Sequence, residues 1–396
     1  MIGGGFQQVD AARIIAAAGL RIIVSDRNER APAFRYADES WVVDGNDRDE
    51  LTRRAIEARD RGLAGIFTLT ELVESVAEVA RAAGLPGVSP NSARACQDKS
   101  SAKKLWVGRG VATARAGVVG DLEKARALYS ELGERVFLKP CTGAGGLGAS
   151  AATCIEELES AFANAVSVDD RVLIEERLDG THHDVNGIFD VEGQFHSAGI
   201  ADRTFMRGAP VELAASAPTL LSKKEQRQAL ALTRDAALAL GIRFGPVKSD
   251  LILTREGFRI LELAPRLHGP KGTLHLLPLA FGFHPIVAAL RVLTGMTLRE
   301  VDLRPRQTRA ATIVAIPPIP GRRLEAIGGL KEASAMPGIQ GVRILMKLGT
   351  TMREPTCNAD IVGHVFAAAP DAQAARYAAT KALERIELIT DRTPRD

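Results

Sequence analysis

Residues 247–266 read Val-Lys-Ser-Asp-Leu-Ile-Leu-Thr-Arg-Glu-Gly-Phe-Arg-Ile-Leu-Glu-Leu-Ala-Pro-Arg, two short apolar runs around Arg255-Glu256-Gly257. With Gly257 left-handed at the end of a three-residue loop, Thr254 pairs with Phe258. Counting back along both runs sets Asp250 directly opposite Glu262. Opposed residues on paired strands have Cβ atoms roughly 5 Å apart, and like charges there repel. A cation between the two carboxylates removes that penalty. A small set of hard oxygen ligands suits Mg²⁺ held jointly with a substrate's phosphates. The alternative is a solvated hairpin whose acids point at water. Against it stand Leu251, Leu253, Leu261 and Leu263, which give one face a core character, and Ile252 and Ile260, which fall beside the acids on the other.

The second signal is Phe137-Leu138-Lys139-Pro140-Cys141-Thr142-Gly143-Ala144-Gly145-Gly146-Leu147-Gly148. Glycines lose the most entropy on ordering, so Gly143, Gly145, Gly146 and Gly148 are not expected to serve packing. They let backbone N–H groups wrap an anion such as a polyphosphate. Lys139, on the strand just before, reaches the same phosphates. No Gly-Lys-[Ser/Thr] closes the loop and the lysine precedes the glycines, so it is not a Walker A loop. A mobile surface loop is the competing reading.

Around these signals the chain alternates strands and helices. Leu20–Asp26, Trp41–Val43 and Ala64–Leu69 are β-type runs. Val9–Ala18, Arg48–Arg61 and Glu71–Ala83 carry helical spacing, stopped by Gly19, Gly62 and Gly84. That order predicts a doubly wound parallel α/β unit over 1–95. Only Met1 and Ile2 precede the turn Gly3-Gly4-Gly5, so either the first strand is very short or the true start lies upstream. A helix from about Asn91 to Gly108 leads to a strand at Arg135–Lys139. After the glycine loop, Thr153-Cys154-Ile155-Glu156 reads as a capping box opening a helix to about Val166. Val172–Leu178 is a strand, Val185–Asp190 and Gln194–Ala201 form a hairpin, and Ser222–Leu240 is an amphipathic helix. A Pro-rich stretch after Gly295 opens the last part, which ends in a helix from about Asp371 to Ile386.

Composition excludes several classes. At 396 residues the chain is long enough for two to four domains or subdomains. A net charge of +3 with 5% aromatic residues and no basic–aromatic cluster argues against nucleic acid as a partner. No apolar run approaches the roughly 20 residues that span a bilayer, and no signal peptide opens the chain. Cys96, Cys141, Cys154 and Cys357 lack metal-ligand spacing and read as reduced thiols of a cytoplasmic protein; of these only Cys141, beside the glycine loop, has a reactive alternative.

Glycine loop, lysine and paired acids, in that order within one folded unit, describe a site for Mg²⁺-ATP. The ordered set resembles the ATP-grasp superfamily, in its carboxylate–amine ligase branch related to biotin carboxylase, carbamoyl phosphate synthetase and the L-amino acid ligases. The likeness covers essentially the whole chain. It implies an α/β fold, α+β in parts: an N-terminal α/β domain over 1–95, a central glycine-loop subdomain over 96–175, a C-terminal ATP-binding subdomain over 176–300, and a last subdomain over 301–396 packed on that core.

The resemblance also implies roles. Asp98-Lys99 looks like the family's Asp-Lys pair, with Lys99 on the ATP phosphates and Lys139 as the second ATP lysine. Leu173-Ile174-Glu175-Glu176-Arg177-Leu178 resembles the hinge strand, where the Glu176 and Leu178 backbones read adenine and Glu175 orients it. Asp250 and Glu262 match the two acids that hold Mg²⁺ (or Mn²⁺). Arg266 matches the arginine that steadies the substrate carboxylate and the acyl phosphate made from it, a task suited to a guanidinium fork. His182 occupies the place of a ribose-binding glutamate and has the capacity to bond a sugar hydroxyl. His268 and His275 flank Pro270-Lys271-Gly272 near the acceptor pocket. The stretch 201–206, with Glu212 and Ser216 after it, resembles the lining of the acid pocket. The family pattern Glu-x-Asn-x-Arg has Ala264 at its middle position here, which leaves the second metal in question. A homodimer and small-molecule carboxylate and amine substrates are implied in the same way.

The expected reaction phosphorylates a carboxylate with ATP and joins it to an amine with release of ADP and phosphate. Two rivals remain. Gly3-Gly4-Gly5-Phe6-Gln7-Gln8, with Asp26 some twenty residues on, resembles the fingerprint of an NAD-dependent oxidoreductase. A non-catalytic ATP-binding regulatory protein derived from a ligase would tolerate Ala264 and His182.

Overall fold

The computed structural model describes residues 1–207 and 209–391, so positions 392–396 of the expected last unit lie outside the described residues. In the N-terminal unit α1 (Val9–Ala17), α2 (Arg48–Arg59) and α3 (Val73–Ala82) surround a parallel pair of β1 (Ile23–Asp26) and β2 (Glu39–Val42). Ile2 adds a single parallel bridge to Ser25, the very short first strand the sequence allowed. The expected strand at 64–69 forms no ladder: Phe67 accepts from the Ile2 N–H, and the Thr68 hydroxyl bonds the Ile2 carbonyl. The doubly wound reading therefore holds in connectivity but not in sheet width.

The expected helix over 91–108 is two helices, α4 (Pro90–Gln97) and α5 (Lys99–Gly108). Asp98 breaks it, because its carboxylate accepts from the N–H groups of Ser100 and Ser101 and its own backbone is extended. This cap sets Lys99 at the first position of α5.

Four antiparallel strands in the order β3 (Ala116–Val119), β6 (Val172–Glu176), β4 (Val136–Pro140), β5 (Ser150–Ala152) make the glycine-loop subdomain, with α6 (Leu122–Leu132) and α7 (Ile155–Val166) on it. The capping box expected at Thr153 and Glu156 is displaced: Thr153 bonds Glu157 through its N–H at 2.7 Å and its hydroxyl at 2.8 Å.

The rest is organised by one eight-stranded sheet. Its order is β11 (Gly257–Ala264), β10 (Gly245–Thr254), β7 (Thr181–Phe189), β8 (Phe195–Phe205), β9 (Glu212–Ala217), β12 (Ala310–Ile316), β15 (Gly363–Ala369), β14 (Ile339–Ile344). The small pair of β13 (Leu324–Gly328) and β16 (Glu387–Thr390) stands apart. The border expected between 300 and 301 thus crosses a continuous sheet; the last subdomain extends it rather than packing on it as a separate layer. On the far face α8 (Lys223–Ala239), opened by a full capping box at Ser222 and Glu225, buries Ala229, Ala236 and Ala237 against Val247, Leu251 and Ile260.

Register fixes what shares the near face. Glu262, Asp250, Asp184 and Ala201 stand opposite one another across β11, β10, β7 and β8. The next row runs Ile252, His182, Arg203, Ala215, Ile313, Phe366. Ala315, His364 and Arg343 form a third row over β12, β15 and β14. Where the face must accept the segment Gly272–Phe281, its residues are small: Ala201, Ala215, Ala217, Ala311 and Ala368 pack on Leu276, Leu277 and Ala280. Elsewhere it is polar and opens into a cavity.

The deciding hairpin reaches the expected pairing by another route. Thr254 pairs with Gly257, not Phe258, so the loop has two residues and Gly257 (φ 109°) ends it. The register then slips by one between Leu251 and Asp250, and Asp250 faces Glu262 after all. The extra residue is Leu261, a β-bulge that bends the strand and turns its side chains over. Its consequence corrects one expectation: Ile260 lies in the core with Leu251 and Leu263, and Leu261 lines the cavity beside the acids.

Candidate functional site

A single cavity of about 1610 Å³ runs between the N-terminal unit, the glycine loop and the sheet. It exceeds the roughly 300–1,000 Å³ usual for one small ligand. Lys99, Lys139, Gly143, Gly145, Gly146, Glu175, Leu178, His182, Glu212, Asp250, Glu262, Arg266 and His268 all line it. Of the residues expected at the site, Glu176, Gly148, His275 and Ser216 do not, nor do Ala201, Asp202 and Thr204 of the stretch 201–206.

The first three exceptions have a physical cause. The Glu176 carboxylate is held by Arg115, accepting from its N–H and its guanidinium, both at 2.8 Å, and the Glu176 N–H is bonded to the Arg115 carbonyl. Gly148 (φ 70°) is glycine for packing, since a Cβ there would sit 2.9 Å from the Val168 side chain. Gly146 likewise lies against Pro210, at 2.9 Å, so the expectation that no loop glycine serves packing fails at both positions. Gly145 has nothing within 4 Å of a Cβ position. His275 meets Phe366 in a tilted contact, ring centroids 5.0 Å apart, and lies 3.3 Å from Asp10.

At the glycine-loop end of the cavity, Glu175 is the buried anchor of two lysines. Lys139 lies 2.6 Å from one carboxylate oxygen and Lys103 meets the other. Burial would raise the Glu175 carboxyl, but Lys139 and Lys103 outweigh it and hold it ionised. Lys103 escaped sequence reasoning because its helical spacing is that of an ordinary surface lysine. Lys99 spans the two halves: its ammonium donates to the Gly143 carbonyl at 2.6 Å and lies 3.7 Å from Glu262. Its N–H bonds the Cys141 carbonyl, tying the start of α5 to the glycine loop. Cys141 itself is fully buried and its thiol is pushed up, which makes it inert.

The acids of the hairpin sit in a dense charge network. Asp250 meets Lys248 at 2.7 Å and Arg203 at 3.3 Å. Even so, burial, with Asp184 beside it, pushes its carboxyl up to about 7. Partial desolvation would raise the Glu262 carboxyl, whose side chain stays 39% exposed, but Lys99 and Lys248 outweigh it and draw it down. A carboxylate under that stress beside an ionised partner fits a cation. Among the described residues no three acids, histidines or cysteines group to hold a metal alone.

Deeper in, the Arg203 guanidinium binds Asp184 at 2.9 Å and Glu212 at 2.6 Å. Glu212 also takes Lys271 at 2.8 Å; against its burial, Arg203 and Lys271 bring its carboxyl down to about 2. His268 bonds Asp184 at 2.6 Å, and its burial keeps the imidazole pKa low. His182 sits edge-on to Phe205 at 4.9 Å with its pKa lowered to about 4, chiefly by burial. Asp184, Arg203, Lys248 and Lys271 were not singled out by sequence reasoning, since only the register of four strands brings them together. Arg266 lies 2.6 Å from Glu71 of the N-terminal unit, while its Nε is buried without a partner. That geometry leaves a donor for an incoming anion.

The NAD reading fails on the turn itself. The Gly4 N–H bonds Asp26 at 2.8 Å and the Asn28 N–H bonds it at 2.9 Å, so the acid closes the turn instead of facing a ribose. Gln7 and Gln8 of that turn line the cavity. The four cysteines are free, and among the described residues no single helix is long and apolar enough to cross a membrane.

Comparison with known proteins bears on the family and the fold. The family described as carbamoyl-phosphate synthase L chain, ATP binding domain, matches residues 98–301, and that described as L-amino acid ligase C-terminal domain 2 matches residues 315–391. The uncharacterized protein y4rH of Sinorhizobium fredii is 25% identical over 335 residues, 82% of this chain and 68% of its own length. The carbamoyl phosphate synthase large chain of Pseudarthrobacter chlorophenolicus is 25% identical over 268 residues, 64% of this chain but only 23% of that protein. The crystal structure of the L-amino acid ligase from Bacillus licheniformis superposes with a TM-score of 0.81 at 19% identity, covering 99% of this chain and 98% of that one, a likeness of fold.

Proposed function

Because the chain belongs to the carbamoyl-phosphate synthase ATP-binding domain family of the ATP-grasp superfamily, we propose that it joins a carboxylate to an amine at the expense of ATP. The carboxylate takes the γ-phosphoryl group to give an acyl phosphate and ADP. The amine nitrogen then attacks the acyl carbon, loses a proton, and displaces phosphate to leave an amide. The observation that carries this reading is the pairing of Asp250 with Glu262 inside the same cavity as Lys99, Lys139 and the glycine loop.

Each group has a defined task. Lys99 and Lys139 neutralise phosphate charge, and the amides of Gly143, Gly145 and Gly146 close over it. Asp250 and Glu262 would hold Mg²⁺, which supplies charge neutralisation between the phosphates. Arg266, with Nε free and Nη2 on Glu71, exchanges Glu71 for the substrate carboxylate. Glu212 and His268 form the polar wall of the substrate end. Leu178 and His182 border the nucleoside. Most of the rate acceleration comes from position and fixed charge, with no side-chain nucleophile involved.

The test is ADP release with Mg²⁺-ATP and a panel of acid and amine pairs. Release that depends on both partners supports ligation. ATP binding with no pair accelerating turnover would favour a regulatory nucleotide-binding role, to which Ala264 lends itself.

A further inference from the structure

The cavity continues past Glu212 to the opposite edge of the sheet, where His364, Arg343, Lys271 and Phe366 line it. Nothing in the ligation chemistry uses this end. His364 is 6% exposed, faces the cavity, and its Nε2 has no hydrogen-bond partner. A buried polar atom left unpaired is unfavourable, and one that lines a cavity is positioned for a ligand.

The surroundings give the ligand's sign. Arg343 stands directly opposite His364 across β14 and β15. Lys271 approaches from the segment beyond β11, held on Glu212 at 2.8 Å. Arg343 is anchored on Asp10 of the N-terminal unit and lies over Phe6 at 5.7 Å. The charged groups around His364 are Lys271, Glu212 and Arg343; Lys271 is paired with Glu212 and Arg343 with Asp10, and each cation keeps further N–H donors for a ligand. Burial and the two cations keep the ring neutral, with a pKa near 3. A neutral imidazole can present an N–H here, and an anionic oxygen would satisfy it together with the spare donors of Lys271 and Arg343. Phe366, 6.2 Å from the ring, supplies an apolar wall between this end and the rest of the cavity.

We infer that His364, Lys271 and Arg343 form a specificity subsite for a second anionic group, a carboxylate or phosphate, carried by the acid or the amine substrate away from the reacting atoms. It lies two strand spacings from the Glu212 strand, roughly 10 Å, so the substrate is an extended molecule with charge at its distal end. The inference rests on the proposed ligation for its choice of substrates, but the subsite is defined by groups that reaction does not require.

The test uses matched pairs of candidate substrates that differ only in a distal carboxylate and its amide isostere, with a phosphate-bearing analogue as a third arm to distinguish the source. In the wild-type chain the anionic member is expected to have a KM for ADP release at least about tenfold lower. His364→Phe should bring the ratio within each pair close to one, and His364→Gln, which keeps a donor, should retain most of it. A merely structural role for His364 would move both members together. If His364→Phe does not fold, Lys271→Met serves in its place. If no pair is turned over at all, the same ratio is read as Kd by calorimetry, which separates failure of the ligase reading from failure of the subsite. Equal values within every pair in the wild-type chain, or a ratio unchanged by substitution, would overturn the inference.

Discussion

Lys139 rests 2.6 Å from a carboxylate oxygen of Glu175, and that glutamate, on the neighbouring strand β6, is buried with its other oxygen taken by Lys103. One acid therefore compensates two buried ammonium groups at the wall of the glycine-loop end of the cavity. Removing it leaves both cations uncompensated. Glu175→Gln is expected to destabilise the fold by about 3–5 kcal/mol, read as a lower midpoint in chemical denaturation. Added ATP should restore part of the loss, since its phosphates replace the missing charge at Lys139.

Arg266 and Glu71 make a contact that a substrate must break. Glu71 is 55% exposed on its side chain, so the pair is worth little by itself. Glu71→Gln is expected to lower KM for the acid about 2- to 5-fold with KM for ATP unchanged. Arg266→Lys should raise the acid KM, because an ammonium lacks the fork that meets two carboxylate oxygens. Steady-state kinetics on one acid series checks both directions.

Glu212 gives the fold an acid-sensitive element. Its carboxyl lies at about 2 in the folded chain against 4.5 when free. A depressed folded pKa means stability that is complete above the free value and lost as pH falls from about 4.5 towards 2. The contribution is on the order of 3 kcal/mol at neutral pH. Glu212→Gln should be less stable than the parent at pH 7 and nearly equal to it near pH 2, as measured by urea unfolding at both pH values.

The sequence allowed the site to be read where its logic is local. Strand alternation brought Asp250 to Glu262, yet the expected three-residue loop is a two-residue one, and the bulge at Leu261 supplies the missing residue. Two errors of one residue cancelled: the loop is one residue shorter than expected and the bulge adds one. The glycine loop was legible as a motif, but Gly146 and Gly148 are also places where Pro210 and Val168 approach closely, contacts no sequence pattern records. The partners of the acids were not legible. Asp184, Arg203 and Lys248 meet only through pairings of β7, β8 and β10, and an interior charged residue on a strand looks like any exposed one until its neighbours are known. The break at Asp98 was missed for a different reason: helical spacing continues through 98, and only the cap geometry separates α4 from α5.

Glu262→Gln should abolish ADP release, by at least about 100-fold, a loss comparable to that of one preorganised electrostatic group. The fold should remain intact, since the side chain keeps 39% of its surface open. Circular dichroism and a denaturation curve would establish that the loss is chemical.

Asp250 and Glu262 are proposed to grip one divalent ion together with a nucleotide, and paramagnetic Mn²⁺ reports that directly through water-proton relaxation. In the parent chain Mn²⁺ should bind tightly only when ATP is present. The Asp250→Asn, Glu262→Gln double variant should lose that ATP-dependent enhancement while still binding free ATP. Equal enhancement in the parent and the double variant would contradict the assignment of these two acids as the metal ligands.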